Sequence, residues 1–155
     1  MSGGIVAGPV GFKQVTMPFQ AVIDTNVLVA AARSNAGASF ELIRLFATGD
    51  GRWQWNISTA LLVEYEAVLK REQHRQGRSL SAVDRFLDDL AARANRHAIF
   101  YLIRPHLADP DDELILELAL ASASRYIITH NRGDFRDAER FGLNVLTPAE
   151  FLRTI

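Results

Sequence analysis

Short apolar runs alternate with amphipathic stretches along this sequence, and this alternation is the feature that most constrains its fold. The runs of strand length lie at residues 20–23, 53–57, 98–103, 126–128 and 144–146. The stretches with helical spacing of apolar residues lie at 38–47, 59–69 and 81–94. Strands that alternate with helices favour parallel sheets, because parallel strands need a crossover connection. We therefore expect an α/β fold, a three-layer α/β/α sandwich with a central, mainly parallel sheet.

Helix boundaries can be assigned from capping residues. Ser58 or Thr59 is suited to cap the helix that follows the second strand. Asp109 is a favoured N-cap, and Pro110 fits the first position of a helix. We expect a further helix to begin there, and a last helical turn to begin at Pro148.

Length and composition limit the class of protein. The 155 residues suffice for one domain with a full core. Residues 1–17 are rich in glycine and lack a sustained period, so we interpret them as a flexible leader ahead of a domain at 18–155. The net charge of −1 argues against a sequence-independent DNA coat protein. Since there is neither a secretory signal nor an apolar run of about 18 residues, we expect a cytoplasmic protein without membrane contact.

Polar residues follow two of the predicted strands directly. Asp24 comes after the first strand, and Thr129, His130, Asn131 and Asp134 follow the strand at 126–128. Sites in open parallel sheets form beyond the carboxyl ends of the strands, which makes these residues candidates for function. Each of them alone would also serve as a helix cap or a turn residue.

Three further acids are candidates because of their position on predicted helices. Asp112 shares a predicted helix face with the apolar residues Ile115, Leu116 and Ala119, where a carboxylate is costly unless something pairs with it. In the preceding helical stretch, Glu64 and Glu66 lie at opposite edges of the apolar stripe. Helical geometry alone leaves both of them open.

Convergence of several carboxylates would require a cation. Two carboxylates about 4 Å apart repel by roughly 4 kcal/mol at an effective dielectric constant of 20. Three or four together would not be compatible with a domain that is stable by about 5–15 kcal/mol, unless some protonate or a cation binds. The sequence contains no Cys and no paired His. Oxygen ligands alone favour Mg²⁺ or Mn²⁺ over Zn²⁺.

Four segments, in order, resemble the motifs of PIN domains. Residues 22–29 resemble the opening signature, a hydrophobic strand that ends in Asp-Thr-Asn. Residues 57–64 resemble the second motif, which assigns Glu64 to the site in preference to Glu66.

The third and fourth motifs extend the resemblance to about residues 18–152. Residues 109–112, followed by 116–119, resemble the third motif, and Asp112 matches it better than Asp111. Residues 128–135 resemble the fourth motif, with Asn131 and Asp134 as its polar pair, and 146–152 resemble the usual tail of the family.

The resemblance implies a metal-dependent endoribonuclease related to the VapC-type toxins of bacterial toxin–antitoxin pairs. Its catalytic and metal-binding residues would be Asp24, Glu64, Asp112 and Asp134. Polar residues in supporting roles would be Thr25, Asn26, Ser58, Thr129 and Asn131. RNA is then the expected substrate and a cognate antitoxin the expected partner. The apolar helical stretches at 40–46 and 83–90 are candidate surfaces for that antitoxin or for a homodimer.

Other interpretations have less support in the sequence. A PIN-like module without catalysis, which binds only RNA or protein, is the main alternative, and the presence of all four acids argues against it. A phosphoacceptor signalling domain needs a Lys after a late strand, but none follows Lys70. A phosphatase with an Asp-x-Asp motif needs an acid where this chain has Asn26. The four histidines lack metal-ligand spacing, and among them His130 is placed to contact a substrate.

Overall fold

The computed structural model describes residues 17–98 and 110–155. The strands in this part are β1 Phe19–Ile23, β2 Trp53–Ser58, β3 Asn95–His97, β4 Tyr126–Ile128 and β5 Asn144–Leu146. The α-helices are α1 Thr25–Arg33, α2 Ala38–Ala47, α3 Thr59–Arg75, α4 Ser81–Arg93, α5 Pro110–Ala121 and α6 Pro148–Thr154. A 3₁₀ segment, Arg132–Phe141, lies between β4 and β5.

The sheet is parallel throughout, with the strand order β3-β2-β1-β4-β5. Within the described residues, the chain passes first through β1 in the centre, moves outward through β2 and β3, and returns to the other side of β1 for β4 and β5. The direction of winding therefore reverses between β1 and β4. Ligands of open α/β sheets bind at such a reversal, beyond the carboxyl ends of the strands. The predicted α/β fold with a parallel sheet flanked by helices is confirmed.

An aromatic cluster forms the core between β2 and the helices. Trp53 and Trp55 are 1% and 0% exposed, and their rings stack with 5.8 Å between centroids. Phe46 of α2, Phe86 of α4 and other aromatic rings pack against them. Burial of this much aromatic surface fixes these helices on the sheet.

Helix α5 packs against β1, β2 and β4. Its residues Ile115, Leu116 and Ala119 are buried, as the helical period predicts. The neighbouring Asn56 of β2 is also buried, and its polar atoms have partners: it donates to the side chain of Gln20 at 2.9 Å and pairs with His97 Nε2 at 2.8 Å. His97 thus has a structural role.

Four features differ from the expectation. Helix α1 and the 3₁₀ segment are additional to the predicted elements. Strand β3 lies at Asn95–His97, before the strand predicted at 98–103; residue 98 is in no strand, and residues 99–103 and Asp109 lie outside the described residues. Helix α3 continues to Arg75, because a buried ion cluster holds its last turn in place.

Glu72 is the centre of this cluster. Its carboxylate is 5% exposed and accepts two hydrogen bonds of 3.0 Å from the Arg33 guanidinium at the end of α1. Arg75 and Gln76 donate to the same carboxylate. The hydrogen bonds from Arg33, and next those from Gln76, lower the pKa of Glu72 to about 2. The cluster ties α1 to α3.

The depressed pKa predicts how stability depends on pH. The unfolded chain protonates Glu72 near its ordinary pKa of about 4.3, so its ionised form stabilises the fold fully above that pH. The contribution is lost as pH falls towards 2. We expect Glu72→Gln to lower the melting temperature by several degrees at pH 7 and by little near pH 2. A difference in melting temperature between wild type and Glu72→Gln that stays constant over this pH range would contradict a stabilising role of the ionised Glu72. The surface variant Glu66→Gln is the control.

Candidate active site

Asp24 connects the carboxyl ends of the neighbouring strands β1 and β4. It follows β1 and caps α1, with its Oδ1 accepting the Thr25 amide at 2.7 Å. Its Oδ2 accepts the Thr129 hydroxyl at 2.7 Å, and its backbone amide donates to the Ile128 carbonyl at the end of β4. The carboxylate is therefore held at the reversal point of the sheet by one donor from each side. It remains half-buried, not sealed from solvent.

Thr129 orients this carboxylate. It is fully buried, and besides donating to Asp24 its hydroxyl accepts from Asn26 Nδ2 at 3.2 Å and from the Asn131 amide at 3.0 Å. A hydroxyl offers one donor and two acceptor positions, so all of them are in use. The position of the hydroxyl is fixed as a result, and so is the carboxylate that it contacts.

The other supporting residues hold backbone in place. Asn26 Oδ1 accepts the His130 amide at 3.2 Å, and the Asn131 carbonyl accepts the Asp134 amide at 3.0 Å. Ser58 ends β2 and caps α3, accepting the Leu61 amide at 3.2 Å. The predicted supporting residues thus all lie at the carboxyl edge, and Thr25 and Asn131 contribute to it through their backbone amides.

Glu64 lies on α3 beside a residue that anchors this helix to β1. The hydroxyl of the adjacent Tyr65 donates to the Ile23 carbonyl and accepts from Trp55 Nε1 at 3.2 Å. Burial raises the pKa of Tyr65 far above its ordinary value, and the nearby Asp24 charge raises it further. The turn of α3 that carries Glu64 therefore lies next to the end of β1.

Glu66 faces a different environment. It forms an ion pair of 2.9 Å with Lys70, which in turn pairs with Asp84 of α4 at 2.9 Å. This surface network engages Glu66 away from β1. The choice of Glu64 over Glu66 stays a prediction from the motif.

The remaining predicted acids lie on the elements that flank β4. Asp112 is half-buried near the start of α5, which packs against β1, β4 and the 3₁₀ segment. Because α5 belongs to the crossover from β3 to β4, it starts at the carboxyl edge of the sheet. Asp134 is exposed in the first turn of the 3₁₀ segment.

The donor set suits a hard divalent cation. Each oxygen of Asp24 accepts a hydrogen bond of 2.7 Å, and an ionised carboxylate has further lone pairs for a ligand. Carboxylate and hydroxyl oxygens are the ligands that Mg²⁺ and Mn²⁺ favour. Among residues 17–98 and 110–155, no three Asp, Glu or His side chains form a ready-made group for a metal ion. Convergence of the four acids on one cation stays a prediction.

Two residues near the site have contacts that the sequence motifs do not indicate. Tyr65 belongs to the apolar stripe of α3, and a buried tyrosine hydroxyl needs a partner, so the sequence contains a signal for it. Ser39 of α2 is 3% exposed, and its Oγ lies 2.7 Å from His130 Nε2. Nothing in the sequence pairs these two residues.

Comparison with known proteins agrees with this geometry. The family profile described as the PIN domain matches residues 20–133. Two chains of solved structures are similar in fold, each at 16% sequence identity. One is from the Rickettsia felis VapBC2 structure, bound to a DNA fragment from its promoter (TM-score 0.51, covering 82% of this chain and 97% of that chain). The other is from VapBC-1 of nontypeable Haemophilus influenzae (TM-score 0.52, 84% and 99%). The comparison with curated proteins found no match.

Proposed function

Since this chain belongs to the PIN domain family, we propose that it is an endoribonuclease that cleaves RNA phosphodiester bonds with Mg²⁺ or Mn²⁺. One observation carries the proposal. The Asp24 carboxylate is held in a defined orientation at the reversal point of a parallel sheet, between the Thr25 amide and the Thr129 hydroxyl. A carboxylate that served only as a helix cap would not need a second donor from a distant strand.

The proposed ligands of the cation are Asp24, Glu64, Asp112 and Asp134. A divalent ion held there would lower the pKa of a water molecule and offset the charge that develops on the scissile phosphate. The protein contributes orientation: Thr129 holds the Asp24 carboxylate, and Asn26 holds the loop that follows β4. In-line attack of water on phosphorus would leave a 5′-phosphate and a 3′-hydroxyl.

A cleavage assay separates this proposal from a catalytically silent module. The purified chain is incubated with single-stranded RNA in Mn²⁺, in Mg²⁺ and in EDTA. We expect cleavage with either metal, 5′-phosphate ends on the products and no cleavage in EDTA. RNA that is bound but stays intact in both metals would favour the silent module instead.

We also propose that the chain is the toxin of a toxin–antitoxin pair, acting in the cytoplasm. The two similar structures are VapBC assemblies. The apolar stretches predicted as partner surfaces meet in the fold, since Phe40 and Ile43 of α2 and Val83 and Phe86 of α4 line one groove of about 210 Å³. Arg33 and Arg78 lie in the adjoining depression, so the proposed occupant is an apolar segment of an antitoxin with acidic residues beside it.

The partner proposal is tested with the product of any short open reading frame that adjoins the gene of this chain. This small protein should co-purify with the chain and suppress RNA cleavage. A second copy of the chain in the groove, detected as a homodimer that excludes the small protein, would contradict the assignment of the groove.

A further inference from the structure

We propose that Ser39 and His130 form a latch that positions the loop after β4 and, through Thr129, the Asp24 carboxylate. The latch is the contact of 2.7 Å between Ser39 Oγ and His130 Nε2. This inference rests on the proposed ribonuclease function for its kinetic test. Both members would be positioning residues, since they act on Asp24 through another side chain.

His130 is held at two points. Its ring contacts Ser39 of α2, and its backbone amide donates to Asn26 Oδ1 of α1 at 3.2 Å. Although His130 is exposed, its partner Ser39 is 3% exposed, so the contact reaches from the surface into the packed start of α2. His130 therefore joins the loop after β4 to α2 through its ring and to α1 through its backbone amide.

The neighbours of His130 make the contacts that define the site. Thr129 donates to Asp24 Oδ2, and the Asn131 amide donates to the Thr129 hydroxyl. Planar peptide bonds link His130 to Thr129 and to Asn131, so a change in the position of His130 affects the positions of both neighbours. Loss of the latch should thus loosen the carboxylate without removing any polar group that contacts it.

The contact is not the ordinary local bonding of a helical serine. Serine hydroxyls in helices usually bond to a carbonyl within the preceding turn. Here the partner is 91 positions away along the chain. A surface histidine would otherwise be free to rotate in water, and fixing its ring has an entropic cost that this one hydrogen bond must offset.

Two substitutions of His130 separate a latch from direct contact with the substrate. The amide of Gln reaches the position of Nε2, whereas the shorter amide of Asn reaches only that of Nδ1. A latch requires the Nε2 position. We therefore expect His130→Gln to keep most of the activity, while His130→Asn and Ser39→Ala lower kcat/KM about two- to tenfold, less than the ten- to hundredfold typical of groups that contact a metal ligand directly.

A double variant and a control substitution at another serine complete the kinetic test. The double variant Ser39→Ala/His130→Asn should be no slower than either single variant, because both remove the same contact. Ser79→Ala is the control, since its hydroxyl also pairs with a side chain, Ser81 Oγ at 2.7 Å, but beside α4. This control should cleave RNA at the wild-type rate.

Amide hydrogen exchange tests the latch without reference to catalysis. The amides of His130 and Asn131 are bonded to Asn26 Oδ1 and Thr129 Oγ1. We expect Ser39→Ala and His130→Asn to speed their exchange at least severalfold, and His130→Gln to leave it near wild type.

The outcomes distinguish the two proposals. Wild-type protein that cleaves no RNA, but whose His130 and Asn131 amides exchange faster in Ser39→Ala, would support the latch and refute the ribonuclease function. Unchanged exchange and cleavage in Ser39→Ala would overturn the latch. An active His130→Asn variant with an inactive His130→Gln variant would also overturn it, in favour of direct contact with substrate through Nδ1.

Discussion

We expect Asp24→Asn to lower metal-dependent RNA cleavage at least about a hundredfold, since a metal ion supplies several kcal/mol of transition-state stabilisation and each 1.4 kcal/mol is about tenfold in rate. The substitution removes the charge at the reversal point of the sheet and keeps the size of the side chain. Asn can still accept the Thr25 amide through its carbonyl oxygen, as Asp24 does at 2.7 Å. Its Nδ2 cannot accept the Thr129 hydroxyl that Asp24 Oδ2 accepts, so we expect some loss of stability beside the loss of chemistry.

The control for this prediction is Asp88→Asn, an exposed acid on α4. It changes the net charge by the same amount and should leave cleavage unaffected. Rates are measured on proteins whose circular dichroism and melting temperature are compared first. A folded Asp24→Asn protein that cleaves RNA at the wild-type rate would rule out Asp24 as a catalytic residue.

The second large effect is expected for Thr129→Val. Valine has nearly the shape of threonine but lacks the hydroxyl, so Asp24 Oδ2, Asn26 Nδ2 and the Asn131 amide each lose a partner. We expect cleavage to fall about ten- to a hundredfold, as it does when outer contacts to metal ligands are removed. The buried polar atoms left unpaired should also cost about 1–3 kcal/mol of unfolding free energy.

Thr129→Ser is the matched control, because it restores the hydroxyl while removing a methyl group. It should recover most of the cleavage rate lost in the valine variant, even if chemical denaturation shows it to be less stable than wild type. A valine variant as active as the wild type would show that orientation of Asp24 by Thr129 is unimportant.

The parts of the fold that the sequence predicts are those with a clear apolar period. Helix α2 has the bounds that its pattern predicts, and β4 lies between the polar residues Arg125 and Thr129. Helix α1 escapes prediction because the sequence after Asn26 is almost uniformly Val, Leu and Ala, which shows no polar face. The 3₁₀ segment escapes it for the opposite reason, since among its residues only Phe135 and Ala138 are buried.

The site is predictable one residue at a time, but its contacts are not. Asp24 and Thr129 are candidates because each directly follows a strand. Their hydrogen bond joins residues 105 positions apart and depends on β1 and β4 being neighbours, which the sequence does not specify. The Ser39–His130 contact has the same origin in long-range packing.

Glu72 is a buried acid that, like Asp112, lies on the apolar face of a helix in the sequence pattern. It continues the buried face of α3 formed by Leu61, Tyr65 and Leu69, just as Asp112 shares a face with the core residues of α5. A carboxylate on an apolar face needs a partner in either place. For Glu72 the partners are arginines on α1 and α3, which makes it structural. The pattern therefore identifies a paired acid without telling a structural one from a functional one.

Calorimetric titration of the RNA-free protein with Mn²⁺ tests most directly whether the four acids act as one cation site. The wild type is compared with Asp24→Asn, Glu64→Gln, Asp112→Asn and Asp134→Asn, and Asp88→Asn serves as the control. We expect the wild type and the control to bind Mn²⁺ equally, and each of the four variants to bind at least about tenfold more weakly, in line with the dependence of metal affinity on its ligands. Binding that is unchanged in all four variants would contradict a shared carboxylate site.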